Sequence, residues 1–284
     1  MTQRAAQLHA RTHSVSQLGN VVNAMRGIAA TRAQQSRHQM ESVQAYADTV
    51  ARAISQVLAL LPVLPDEAGP RTDGRRAVLL LCAEQGFAGA FSERVLECLG
   101  RPSGAELLLL VGSRGLRLAH AKGLAPAWTA PMVSQLVHAG ALADRISAEL
   151  YRHLQAGRVR CVEVIYARPL SASGFEVIRR TLLPLDYARF GAQGGAVAPL
   201  MNLSPQVLLE RLAAEYLFAQ LNEAIVHSYA AENTARLQTM TAARENIASR
   251  LETLTSEERL ARQEEITAEI VELAAGTEAL RSGT

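Results

Sequence analysis

From Ala196 to Ala275 the sequence contains no glycine, and Pro205 is its last proline. The two strongest helix breakers are thus missing from a very long run. Ser204 before Pro205 supplies an N-cap and a first helical residue. Apolar side chains then recur at helical spacing: Leu212, Tyr216, Leu221, Ile225, Leu237, Met240, Ile247, Leu251, Leu254, Ile266, Ile270, Leu273 and Leu280. One helix over this stretch is roughly 110 Å long. A compact domain cannot bury such a rod, so the pattern calls for a coiled coil and a partner helix.

The first sixty-one residues offer that partner. They contain no proline and only two glycines, Gly19 and Gly27. Apolar or small residues fall at Val15, Leu18, Val22, Met25, Ala29, Ala33, Ser36, Met40, Val43, Ala47, Val50, Ile54, Val57 and Leu61, a heptad seam with a stutter near Ala29. Its first half is thin, because Ala and Ser bury little. Charge favours pairing of the two ends: residues 1–40 carry five arginines and no acid, whereas residues 210–284 carry thirteen glutamates against seven arginines. The alternative is two solvated faces that differ by chance. The net charge of +2 rules out a strong field over the whole chain.

Between the helices the character changes. A Pro/Gly/Asp-rich break spans Leu61 to Gly74. Short apolar runs at Ala77–Cys82 and Glu106–Val111 read as buried strands. Phe91–Leu99, Ser113–Lys122 and Met132–Gln155 read as helices, and the stretch around Trp128 as a loop. Val159–Ala167 and Val177–Leu183 read as a hairpin, and Tyr187–Leu203 as glycine-rich loop. Strands alternating with helices predict an α/β fold with a mostly parallel sheet and one antiparallel addition. The expected domains are an N-terminal helix over 1–61, an α/β domain over 75–200 and a C-terminal helix over 204–284, the two helices pairing antiparallel.

Chemistry is sparse. Glu84-Gln85-Gly86-Phe87-Ala88-Gly89-Ala90 follows the first strand but lacks the Lys-Ser or Lys-Thr of a phosphate loop, and Lys122 is the only lysine. Gly112-Ser113-Arg114-Gly115 opens a helix, where backbone N–H groups hold an anion or make a tight turn. His9 and His13 read as solvated, and Glu257-Glu258 and Glu264-Glu265 as exposed. Three cysteines without CxxC spacing suit a reducing compartment, and no apolar run is long enough to span a membrane. The basic N-terminus lacks interleaved aromatics for nucleic acid and the apolar core of a secretory signal. Read from residues alone, the chain is a coiled-coil adaptor or scaffold first, and a small-molecule enzyme second.

Particular residues narrow this. Ser14-Val15, Ala24-Met25 and Ala29-Ala30 are similar to the Ser-Val…Ala-Met…Val-Ala-Ala signature of the gamma subunits of F-type ATP synthases. Residues Ala261-Arg262-Gln263-Glu264-Glu265-Ile266-Thr267-Ala268-Glu269-Ile270-Val271-Glu272 resemble that family's Ala-Arg-Gln-x-x-Ile-Thr-x-Glu-Leu-x-Glu motif. Glu232, Arg236, Met240 and Asn246 match in order, as do Val111–Gly115 and Leu182-Leu183-Pro184. The family's Asp-Arg-Gly-Leu-Cys-Gly-Gly is replaced by Glu84–Ala90, and its Asn-Thr-x-Lys-Ile-Thr by Gln17–Val22, so the chain looks like a divergent bacterial branch.

The resemblance implies a rotor shaft: a Rossmann-like α/β domain on a two-helix coiled coil, with no cofactor and no catalytic residue of its own. It implies contacts to the alpha and beta subunits of a catalytic head, the epsilon subunit and the c-subunit membrane ring. It implies no nucleic acid, no membrane insertion, and a place on the cytoplasmic face of the bacterial inner membrane. Met25, Arg236, Arg262, Gln263, Thr267 and Glu272 are the expected contacts to the head. Ile266, Ile270 and Leu273 are expected to face the partner helix.

Overall fold

The computed structural model describes residues 3–61, 75–100, 106–170, 174–191 and 201–282; side chains of 3, 5 and 276–282 lie outside that description. Five α-helices are formed: α1 (Gln3–Leu58), α2 (Phe91–Leu99), α3 (Ser113–Ala121), α4 (Ala139–Gln155) and α5 (Pro205–Ser282). Five strands make one sheet: β1 (Arg76–Leu81), β2 (Leu107–Val111), β3 (Trp128–Ala130), β4 (Cys161–Pro169) and β5 (Phe175–Leu183), in the order β3-β2-β1-β4-β5. The first four run parallel and β5 is antiparallel to β4. The strand at Trp128 replaces the expected loop. It is three residues long, too short for periodicity to register. The expected helix from Met132 begins instead with a 3₁₀ turn at Leu136–His138, and α4 follows.

The chain divides into two compact units: residues 29–236, and residues 1–28 with 237–284. In the larger unit the sheet is covered on both faces, which is why β1 and β2 are apolar at every position. Alternate residues Leu79, Leu81, Leu109, Val111 and Val164 pack with Ile146 and Leu150 of α4 and Leu221 and Ile225 of α5. Val78, Leu80, Leu108, Leu110 and Ile165 face the other way, onto Phe91, Val95 and Leu96 of α2 and Ala119 of α3. Val50, Ile54, Val57 and Leu58 of α1 meet Leu209 of α5, and Tyr46 donates to Glu215, an antiparallel pairing.

In the smaller unit the pairing is also antiparallel. Arg4 bonds Glu264 (3.2 Å), His9 Nδ1 lies 3.0 Å from Glu258, and Gly19 lies against Ile247, so the partner number falls as the first rises. The Arg4–Glu264 ion pair and the His9–Glu258 contact join the basic end of α1 to the acidic end of α5. At the surface each is worth about 0–1 kcal/mol, so packing must do most of the joining. His9 is thus not a lone solvated histidine; Glu258 accompanies it.

The seam differs from expectation in two places. Leu18 is 53% exposed; Gly19 faces α5 in its stead, and a Cβ there would stand 3.3 Å from Ile247 Cγ2. In α5 the buried series is Met240, Leu254 and Ala261, with Glu258 and Glu265 half-buried beside it. Ile266, Ile270 and Leu273, expected to face α1, are 50%, 61% and 71% exposed. Ile266 lies five residues past Ala261, about 140° round the helix from the seam. Arg4 already stands opposite Glu264, so the described part of α1 ends where this stretch of α5 begins. Leu280 falls outside the described side chains.

Candidate functional site

The outward face of the end of α5 is the first element. Leu260, Gln263, Glu264, Thr267, Ala268, Val271 and Glu272 line one groove along it, running from the outward Gln263 to Glu264 beside Arg4 of α1. Gln263 is two residues from the buried Ala261, which turns it about 160° away from the seam. Arg262, Gln263, Thr267 and Glu272, four of the expected contacts to the head, are all exposed. Thr267 spends its hydroxyl proton on the carbonyl of Gln263 (2.8 Å), so toward a partner it offers lone pairs only. The Gln263 amide can both donate and accept. Around these polar groups stand Leu260 and Val271, 57% and 62% exposed, with Ile266, Ile270 and Leu273 on the adjoining face. These exposed apolar residues alternate with the charged Arg262, Glu264, Glu269 and Glu272, so a partner on this end of the helix meets both kinds of side chain.

Met25 belongs to a second exposed stripe. Leu18, Val21, Met25 and Ile28 are spaced three, four and three along α1, and Leu18, Val21 and Ile28 are more than half exposed while Met25 is half-buried. The heptad spacing places Leu18 and Met25 in the seam, whereas the structure turns Leu18 outward beside Val21 and Ile28 and leaves Met25 half-buried. An apolar period carries no label saying which partner it meets.

Arg236 is placed differently from the other five. It is 5% exposed, on the inner face of α5. Its guanidinium donates to Glu232 (2.5 Å) and Asn233 (3.3 Å), and to the carbonyls of Gly86 (3.3 Å) and Gln85 (3.5 Å). Glu232 in turn accepts backbone N–H groups from Glu84 and Gln85. Burial raises the Glu232 carboxyl above its ordinary range, and Arg236 pulls it back down. The pair therefore clamps the 84–90 loop to α5.

Glu84 fixes the other end of that loop. Its carboxylate accepts from Ser113 N (3.0 Å), Ser113 Oγ (2.6 Å) and Met132 N (2.8 Å). It thus occupies the N-terminus of α3, the place the Gly112–Gly115 sequence offered to an anion. Those glycines serve close packing: a Cβ on Gly115 would lie 2.1 Å from the Cβ of Cys82, and one on Gly112 2.3 Å from the Cys82 carbonyl. Held at both ends, the loop presents Phe87 at φ +61 and 63% exposed. A left-handed backbone costs a non-glycine residue roughly 1–2 kcal/mol, and such strain persists only where surroundings over-determine it. Neither the missing Lys-Ser of a phosphate loop nor the departure from the family's Asp-Arg-Gly-Leu-Cys-Gly-Gly points to Phe87. An aromatic residue between two glycines was the available signal.

Comparison with known proteins agrees with this arrangement. A family model described as ATP synthase matches residues 4–280. The ATP synthase gamma chain of Clavibacter sepedonicus is 30% identical over 282 residues, covering 92% of this chain and 93% of its own length. That of Thermobifida fusca is 26% identical over 294 residues, covering 96% and 95%. Among solved structures, a chain of the Euglena gracilis mitochondrial ATP synthase superposes with a TM-score of 0.68 at 14% identity, covering 98% of this chain and 95% of that one. A chain from the central stalk and c-ring of the Tetrahymena thermophila enzyme gives 0.53 at 19% identity, covering 78% and 99%. At those identities the structures speak for the fold, and the family model with the relatives speaks for the lineage. With its two long antiparallel helices, inserted parallel sheet and matched length, the chain belongs to the gamma-chain family of the F-type ATP synthases, the central stalk of the rotary enzyme.

Proposed function

We propose that this gamma chain is a non-catalytic shaft whose α5 end and α1 stripe bear on the alpha and beta subunits of the catalytic head. The observation that carries this is the exposed apolar set Leu260, Ile266, Ile270, Val271 and Leu273. In water that surface is unfavourable by about 25 cal/mol per Å², and a surrounding sleeve of subunits removes the cost. Gln263 and Thr267 lie between the Leu260/Val271 and Ile266/Ile270 flanks, and the charged residues fall elsewhere round the helix, so the shaft is not equivalent in all directions. A shaft equally compatible with every state of the head would shift none of them. Arg262 and Glu272 add one fixed charge of each sign to the same end of the helix. Met25 and Phe87 are further contacts to the head, and Arg236 acts through the 84–90 loop that it holds.

The α/β unit is the part that meets the epsilon subunit and the c-subunit ring on the cytoplasmic side of the bacterial membrane. No helix among the described residues is long and apolar enough to cross that membrane. The competing enzyme reading loses its best site to Glu84, whose carboxylate already fills the α3 terminus.

The test replaces Gln263 and Thr267 together by Ala and purifies the complex. Assembly is expected to survive, because no apolar contact is removed. Each lost hydrogen bond weakens one rotor state by roughly 0.5–1.5 kcal/mol, which slows ATP turnover several-fold at about tenfold per 1.4 kcal/mol. Normal stoichiometry with an unchanged rate would return both residues to a solvated face.

A further inference from the structure

Beneath α5 the last two strands of the sheet place charge on a covered face. Val164, Tyr166 and Arg168 alternate along β4, and the register sets Arg180, Ile178 and Glu176 of β5 opposite them. Arg180 reaches Glu223 of α5 at 3.2 and 3.4 Å, and its guanidinium carbon stands 5.5 Å from the centre of the Tyr166 ring. Arg168 is paired with Glu176 at 2.5 Å. One turn after Glu223 comes His227. Its ring centre lies 6.3 Å from that of Tyr166, and its Nε2 lies 3.9 Å from Glu223 Oε1. To the same core α1 adds Met40 and Val43, and α4 adds Ile146, Leu150 and the neutral phenol Tyr151.

Two cations, Arg168 and Arg180, meet two acids, Glu176 and Glu223, so the site is balanced only while His227 is neutral. The His227 Nδ1 and the Tyr166 hydroxyl are buried and have no hydrogen-bond partner among the described residues. A neutral imidazole can point its single N–H toward Glu223 and leave a lone pair at Nδ1. A protonated one carries N–H on both nitrogens, which strands a buried donor at Nδ1 and adds a third cation. Burial holds the imidazole below its ordinary range; Glu223 opposes this, and Arg168 and Arg180 add to it.

We infer that His227 is a proton-sensitive latch, whose protonation in mild acid loosens this stretch of α5 from β4 and β5. Both fastenings of the stretch, the Arg180–Glu223 pair and the packing on Tyr166, lie at the imidazole, and an imidazolium competes with Arg180 for Glu223. The sign follows from linkage. A detached imidazole takes up its proton near pH 6.5 and the seated one does not, so attachment is full at neutral pH and weakens as pH falls below about 6.5. The latch is a property of the chain itself and does not depend on its place in the complex.

Urea unfolding of the full-length chain, followed by Trp128 fluorescence, is compared at about pH 7.5 and about pH 5.5 for wild type and His227→Gln. A seated imidazole that stays neutral raises the unfolding constant about tenfold over that span, and the glutamine variant lacks this rise. Wild type is therefore expected to lose up to about tenfold more than the variant on acidification. Hydrogen exchange of the wild type, corrected for the intrinsic effect of pH, locates the loss: residues 217–230 should lose protection while β1 keeps its own. Should the variant fail to fold, exchange in the wild type decides by itself. The inference would be overturned by a wild-type loss within about twofold of the variant's. It would equally be overturned if wild type gained on the variant in acid, which would mean that Glu223 captures the imidazolium, or if protection fell alike in β1 and α5.

Discussion

Replacing Arg236 by Ala probes the clamp that joins α5 to the 84–90 loop. The substitution removes the one cation bonded to Glu232 among the described residues, Glu232 being itself 4% exposed, along with the donors to Gln85 and Gly86. Breaking a buried ion pair from one side costs about 3–5 kcal/mol, a large share of the roughly 5–15 kcal/mol that holds a domain together. The loss should depend on pH with a definite sign. Burial raises the Glu232 carboxyl in the folded chain and Arg236 opposes that rise. Without Arg236 the folded pKa climbs further. Between the ordinary carboxylate range and that raised value the native state binds more protons than the unfolded one, so stability falls as pH rises. The deficit of the variant relative to wild type is therefore smaller at about pH 5 than at about pH 8, by up to roughly 1.4 kcal/mol per unit of extra shift. Trp128, the single tryptophan, is half-buried against the core of the same unit and reports urea unfolding by fluorescence. Adding Glu232→Gln to the variant removes the titrating group and should flatten the pH dependence. A deficit under about 1 kcal/mol, equal at both pH values, would show that Glu232 is not deprived of water and would refute the clamp.

Other expectations follow from the packing. Gly19→Leu forces a side chain into the gap beside Ile247 and should lower the stability of the helix pair by about 1–3 kcal/mol, whereas Leu18→Ala on the exposed face should change it by under about 0.5 kcal/mol; thermal melts of the two variants decide which residue is in the seam. Phe87→Gly relieves the left-handed backbone and should leave stability equal or higher, yet slow ATP turnover in the assembled complex; an unchanged rate would remove Phe87 from the contact surface. Burial, with Glu232 and Glu93 nearby, pushes the Cys82 thiol up to about 12, so an alkylating reagent at about pH 8 should label the half-buried Cys98 and spare Cys82, as read by peptide mass spectrometry.

Much of the architecture was legible in the residues because it depends on local rules. Absence of Gly and Pro, with a spacing of three and four, is enough to specify α1 and α5, and opposed charge at the two ends is enough to favour Arg4 beside Glu264, though not the company of Glu258 beside His9. Continuous apolar runs bounded by turn residues specify β1 and β2, because strands covered on both faces have no polar side to show. The outward position of Gln263 did not follow from the sequence, because it is set by the buried Ala261 and not by Ile266, Ile270 and Leu273. What the sequence left open was which partner each apolar residue meets. Ile266, Ile270 and Leu273 continue the period of the seam to within the tolerance of any pattern. Only the pairing of Arg4 with Glu264 and the burial of Ala261 show that the seam has turned to another face and left those three exposed. Arg236 was expected to contact the head like Arg262 and Gln263, but it is buried and its surroundings come from a loop 150 residues away in sequence. Periodicity is a property of one helix. Register, burial and the company a charge keeps are properties of two or more segments brought together, and those the tertiary structure alone decides.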